Sequence, residues 1–195
     1  MNPYEWILIR PNVVPKEEID LLLQLKQQDP SFALAGKDSD SQSQNLDTRN
    51  TLWYPIPPKI NLHLQNCIQQ CYHNLWEWKF RAKIKSIEAV QYLGYPVGGH
   101  YIAHNDSEQI DPVTGKWFRS SPRDISVLAY LTDDYGGGEL EFVDLGLTIR
   151  PKAGTIIAFP SYHEFTHKVH PVISGFRDSL VCWIETEERL YDPYE

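Results

Sequence analysis

At 195 residues and 42% hydrophobic content, the chain is long enough to fold as one domain with a substantial core. No apolar run approaches membrane-spanning length, and a formal charge of −8 opposes attraction to nucleic-acid phosphates, so neither a membrane nor a nucleic acid is expected as a partner. Three cysteines (Cys67, Cys71, Cys182) make a poor disulfide framework, and the start Met1-Asn-Pro-Tyr-Glu-Trp lacks the segments of a secretory signal. A reducing, cytoplasmic location is the expectation.

In chain order, residues 4–10 (Tyr-Glu-Trp-Ile-Leu-Ile-Arg) read as a short strand. Pro15 suits a first helical position, Glu17 and Glu18 suit the positive end of the dipole, and Ile19, Leu22, Leu23 and Leu25 give the apolar face of a helix ending near Gln28. Residues 31–50 are polar and serine-rich, a long loop that reads equally as a lid or as a surface insertion. Pro57-Pro58 open a second helix carried by Ile60, Leu64, Cys67, Ile68, Cys71, Leu75 and Trp78, whose stripe should pack on the outside of a sheet. His63 and His73 on that helix read as surface or cap histidines. Cys67 and Cys71, four apart, read as reduced core residues.

After Lys83 the pattern becomes short β-rich segments separated by turn residues. Residues 87–93, 100–105, 124–132, 140–143, 147–150, 155–159, 166–172 and 178–184 read as strands, with Gly136-Gly137-Gly138 and Ala153-Gly154 as tight turns. The fold expected is mainly β with bracing helices (α+β), a double-sheet jelly roll. Its parts would be N-terminal helical support (1–83), a jelly-roll core (84–186) and an acidic, solvated tail (187–195). Residues 107–122, with Trp117 and Phe118 between Lys116 and Arg119, form a second candidate lid.

Successive side chains on a strand alternate faces, so His104 and Asp106 point the same way and can grip one ion. A later strand would bring a third ligand, for which His163, His167 and His170 compete. His170 is an odd number of residues from His167 and would face away on the same strand, while His163 sits in a loop-like Ser-Tyr-His-Glu. Two imidazoles and one carboxylate on one side of a metal leave the opposite positions open, the arrangement of non-haem Fe(II) oxygenases. His100 reads as structural or as part of the rim.

The run Tyr95-Pro-Val-Gly-Gly-His-Tyr101-Ile-Ala-His104-Asn-Asp106, the strand from Arg123 to Leu131, the turn Gly137-Gly138-Glu139-Leu140, and His167 followed by Arg177 and Trp183 resemble the 2-oxoglutarate/Fe(II) oxygenases, most closely the prolyl 4-hydroxylase-like branch. The likeness covers roughly the second half of the chain. It implies a double-stranded β-helix that holds Fe(II) through His104, Asp106 and His167. It further implies that Arg177 binds the distal carboxylate of 2-oxoglutarate, that Tyr95 donates a phenolic hydrogen bond to it, and that Tyr101, Arg123 and Trp183 line the substrate side. Leu140 departs from the plant-type pattern, which has Thr there, and removes a hydroxyl contact. The activity implied is hydroxylation of a peptidyl residue, proline first, with dioxygen as oxidant, 2-oxoglutarate decarboxylated to succinate, and ascorbate as an accessory reductant. A free amino acid or other small molecule as substrate, or a non-enzymatic jelly-roll binding protein, are the alternatives. Oligomeric state is not legible.

Overall fold

The computed structural model describes residues 2–28, 34–35, 47–188 and 190. Two antiparallel sheets face each other. The major sheet runs Leu8–Arg10, Ile156–Pro160, Ile125–Tyr130, Arg177–Thr186, Gln91–Tyr95, Leu52–Tyr54, Leu34–Ala35, with Ile84–Ile87 pairing the far end of Arg177–Thr186. The minor sheet runs Leu147–Ile149, Leu140–Phe142, His167–Val169, His100–His104, Arg49–Asn50. This is the double-stranded β-helix expected from the sequence.

Period-two alternation sorts the major sheet into two faces. Ile125, Val127 and Ala129, with Leu180, Cys182 and Ile184, pack outward against two helices, α1 (Lys16–Gln28) and α2 (Pro58–Cys71), where Leu22, Leu64, Tyr72 and Trp76 complete that core. The intervening positions Arg177, Ser179, Val181 and Trp183, with Gln91, Leu93 and Tyr95 on the neighbouring strand, line a cavity between the sheets. Beside the cavity, Tyr130, Leu140, Phe142, Ile157, Phe159 and Phe165 fill the rest of the space between the sheets. The helices therefore brace one sheet and leave its inner face free for chemistry.

Several expected boundaries move for local reasons. Residues 3–6 form a 3-10 turn, because Asn2 accepts from the Tyr4 amide and Pro3 fixes the entry, so the strand starts only at Leu8. Residues 87–93 divide into Ile84–Ile87 and Gln91–Tyr95, since the Asn61 side chain of α2 takes both the amide and the carbonyl of Val90 (3.1 and 2.8 Å). Residues 166–172 divide at Pro171, which has no amide to offer a ladder, into His167–Val169 and Val172–Ser174. The second helix continues past Cys71 as a π turn over Tyr72–Trp76 and closes at Arg81, whose φ of 52° is left-handed. Most of the expected loop over 31–50 lies outside the described residues, but Leu34–Ala35 and Arg49–Asn50 within it are strands. The candidate lid over 107–122 contains a hairpin, Glu108–Ile110 with Trp117–Arg119. Of the tail, Leu190 packs against the outer core rather than standing in solvent, and residues 191–195 lie outside the described residues.

Gly136–Gly137, expected as part of a tight turn, instead pair as a short bulged strand with Val172–Ser174, and the glycines have a steric reason. Gly137 has φ +70°, and a Cβ there would collide with the Pro171 carbonyl oxygen. Gly137→Ala is therefore expected to lose about 1–2 kcal/mol from the left-handed backbone alone, with the backbone clash on top. Calorimetry should show a melting temperature several degrees lower; an unchanged one would mean the bulged pairing relaxes freely.

Candidate metal and co-substrate site

His104 ends one minor-sheet strand and His167 begins its neighbour, directly opposite in register. Asp106 follows just beyond the strand end, where its amide donates to the Ser161 carbonyl at 3.2 Å. The ligand atoms of His104, Asp106 and His167 all lie within 4.8 Å of one another. His104 Nε2 stands 3.7 Å from one Asp106 oxygen and His167 Nε2 3.8 Å from the other, too far for hydrogen bonds and open enough for an ion.

Each ligand is oriented from behind. His104 Nδ1 donates to the Ile102 carbonyl (2.8 Å) and His167 Nδ1 to the Phe165 carbonyl (3.0 Å), so both Nε2 lone pairs are free and face the carboxylate. Ser126 donates to Asp106 Oδ2 at 2.6 Å and is itself tied to Ser161 at 2.8 Å. Burial pushes His104 down to about 3, helped by the like charge of His167, which keeps the imidazole neutral as a metal ligand must be. Burial opposes ionisation of Asp106, yet the two imidazoles and the Ser126 hydroxyl hold it below the usual carboxylate range. Neutral nitrogen donors with one hard oxygen donor fit a divalent transition metal such as Fe(II).

Tyr101 also reaches this cavity, although it stands an odd number of residues from His104. The ladder explains it: His104 pairs with His167 but Tyr101 pairs with Val169, so three steps on one strand match two on the other. That bulge turns both side chains inward, and the Tyr101 ring stacks on the His104 imidazole with centroids 3.6 Å apart.

Arg177 lies at the other end of the cavity, buried to 1% exposure. Its Nη1 donates to Ser179 Oγ and its Nη2 to Tyr130 Oη, both at 3.1 Å, and its Nε has no partner among the described residues. The rings of Tyr95 and Tyr130 flank the guanidinium at 4.5 and 4.9 Å. Burial works against the charge, but the surrounding tyrosines, Tyr130 first, leave the guanidinium's pKa raised. The neighbouring acids are engaged elsewhere: Asp178 faces the helices and binds Lys26 at 2.9 Å and Tyr92 at 3.0 Å, while Glu185 binds Lys85 at 2.8 Å. A buried cation whose hydrogen-bond partners are all neutral is a receptor for an anion. The residues thus fit both a divalent metal and a carboxylate co-substrate.

The cavity holding these groups has a volume of about 560 Å³, within the range of small-molecule sites. The substrate-side residues named from sequence all line it: Tyr101, Arg123 and Trp183. Arg123 is clamped by Glu88 through two hydrogen bonds (2.7 and 2.9 Å) and lies 3.6 Å above the Trp183 ring. Leu140 is fully buried beside the cavity. Tyr95 meets Arg177 through its ring face, a contact the sequence did not suggest.

The rival histidines stand outside the His104–Asp106–His167 cluster. His163 Nδ1 bonds Glu108 at 2.6 Å and its ring stacks on Trp117 with centroids 4.5 Å apart, so Trp117 of the candidate lid packs on the 3-10 turn His163–Phe165. His170 bonds Glu141 at 2.5 Å on the opposite face from His167. His100 accepts a rim role, bonding the Gly98 and Asp47 carbonyls. Sequence reasoning missed Arg49, which sits on the Tyr101 ring at 4.7 Å, lines the cavity and has a buried Nε without a partner among the described residues. Its strand is two residues long and follows a polar run, so no periodic signal marked it.

Residues 90–185 match the family model described as the 2OG-Fe(II) oxygenase superfamily. Human prolyl 3-hydroxylase 3 is 40% identical over 100 residues, which cover 47% of this chain and 13% of that protein. A PKHD-type hydroxylase of Colwellia psychrerythraea is 30% identical over 142 residues, covering 71% of this chain and 60% of the relative. The chain therefore spans only a small part of the prolyl 3-hydroxylase it matches. In fold it is similar to a viral collagen prolyl hydroxylase from Paramecium bursaria Chlorella virus-1 solved with 2OG (TM-score 0.68, 22% identity, 94% of this chain and 97% of that one). It is also similar to a Trichoplax adhaerens prolyl hydroxylase solved with a hypoxia inducible factor peptide (TM-score 0.71, 20% identity, 95% and 86%).

Proposed function

With a core over residues 90–185 that belongs to the 2OG-Fe(II) oxygenase superfamily, we propose that this chain is an Fe(II)- and 2-oxoglutarate-dependent hydroxylase of a peptidyl residue, proline first. The observation that carries the reading is the pairing, in one cavity, of a His104–Asp106–His167 cluster with a buried guanidinium that has only neutral partners.

In this reading His104 and His167 hold Fe(II) through Nε2 and Asp106 through its carboxylate. When bound, the metal supplies dioxygen-dependent oxidation of a C–H bond coupled to decarboxylation of 2-oxoglutarate, with ascorbate as the reductant that restores the ferrous state. The chain's own part is orientation. Arg177 receives the distal carboxylate through its planar donor face, with Tyr95 and Tyr130 fixing the guanidinium plane and the Tyr95 hydroxyl donating to the same carboxylate. Ser126 and Ser161 keep Asp106 aimed between the imidazoles. Arg123, locked by Glu88 and Trp183, and Arg49, on Tyr101, present cationic donors to the substrate's carbonyl groups.

A peptide rather than a free amino acid is favoured by the rim. Gln109, Ser120 and Ser121 of the hairpin segment line the same cavity and offer amide and hydroxyl groups suited to a peptide backbone. The peptide bound by the Trichoplax relative supports the same choice. The three cysteines are unpaired, and no helix among the described residues is long and apolar enough to cross a membrane, which fits the proposed cytoplasmic setting.

The test is incubation with Fe(II), 2-oxoglutarate and either proline-containing peptides or free amino acids, following succinate and the gain of one oxygen by mass spectrometry. Peptide-dependent succinate with oxygen incorporated into proline is expected. Incorporation only into a free amino acid would move the substrate class, and no succinate with any substrate would sink the reading.

A further inference from the structure

A second set of metal-competent donors lies on the other side of the major sheet, in the helix layer. His63 and Cys67 are four residues apart on α2, so they project from one face one turn apart. Glu18, in the first turn of α1, reaches across to them. His63 Nε2 is 2.7 Å from Glu18 Oε1 and 3.6 Å from Cys67 Sγ, and the three donor atoms lie within 4.8 Å of one another. The cluster sits at the edge of an apolar cavity of about 360 Å³ between the helices and the sheet, lined in part by Glu18, Cys67 and Cys71.

The separations are close to those a tetrahedral ion imposes. With bonds of about 2.3 Å to sulfur, 2.0–2.1 Å to nitrogen and 2.0–2.2 Å to oxygen, neighbouring ligand atoms stand roughly 3.3–3.7 Å apart. The nitrogen–sulfur distance already matches. The shorter nitrogen–oxygen distance, 2.7 Å, is that of a hydrogen bond, so a proton occupies the place an ion would take, and this edge must open by roughly 0.6 Å to admit one.

We propose that Glu18, His63 and Cys67 form a second divalent-metal site, of the zinc class, that ties α1 to α2. One carboxylate, one imidazole and one thiolate select a borderline-soft ion such as Zn²⁺ over Mg²⁺ or Ca²⁺, and the fourth position is open to water. The site is independent of the chemistry in the cavity between the sheets.

Cobalt(II) discriminates the two metal sites directly, because the His104–Asp106–His167 cluster contains no sulfur. Titration of the full chain with Co²⁺ is expected to give a near-ultraviolet thiolate-to-cobalt band, lost in Cys67→Ser and kept in Cys71→Ser and Cys182→Ser. Glu18→Gln and His63→Ala should each weaken uptake by about tenfold or more. Zinc should raise the melting temperature of wild type more than that of Cys67→Ser. Absence of the band, or a band that survives Cys67→Ser, overturns the site; loss of the band in Cys71→Ser overturns the ligand set.

Discussion

Asp106→Ala and His167→Ala should each abolish 2-oxoglutarate turnover, while His163→Ala and His170→Ala should keep it. Removing a partner that merely orients a metal ligand typically weakens affinity or activity about 10–100-fold, so loss of a ligand itself should exceed about 100-fold. His170 serves as the matched control, since it lies three residues from His167 but bonds Glu141 on the outer face. His163 is the sharper control, because it contacts Glu108 and Trp117 at the cavity rim. Succinate release and iron content, measured with circular dichroism to check the fold, separate ligand loss from misfolding. If His163→Ala alone removed activity, the third ligand would be misassigned.

Arg177→Met should lower kcat/KM for 2-oxoglutarate by about 30-fold to several thousand-fold, the range for losing one partner of a buried charge pair at 2–5 kcal/mol. Arg177→Lys should fall between, because an ammonium cannot match two carboxylate oxygens with a planar pair of donors. The apo protein gives the opposite sign. There the guanidinium is buried among Tyr130, Ser179 and Tyr95 with neutral partners, so its removal relieves an uncompensated charge. The melting temperature of apo Arg177→Met should therefore equal or exceed that of wild type. A variant that loses stability while keeping its affinity for 2-oxoglutarate would make Arg177 a structural residue.

Much of this site was legible because strands have a period of two. His104 and Asp106 share a face by spacing alone, and Arg177 and Trp183, six apart, do so on the last strand. Where the period breaks, sequence alone is mute. Tyr101 shares the cavity with His104 only because a bulge absorbs one residue, and nothing in Tyr-Ile-Ala-His marks that bulge. The hairpin over Glu108–Arg119 leaves no strand signal because its strands are three residues each, too short for an alternation to show. The pinning of Trp117 by His163 depends on a contact between residues 46 apart in sequence, and the interruption at Val90 depends on Asn61 from another element. Arg49 was invisible for a related reason: a two-residue strand acquires its role from the neighbour it pairs with, Tyr101.

An anaerobic crystal soaked with Fe(II) and a non-reactive 2-oxoglutarate analogue tests the central claim most directly. The account predicts one iron on His104 Nε2, Asp106 and His167 Nε2, chelated by the analogue, with the analogue's far carboxylate on the Arg177 guanidinium. An iron held without Asp106 or His167, or an analogue whose far carboxylate points away from Arg177, would contradict it.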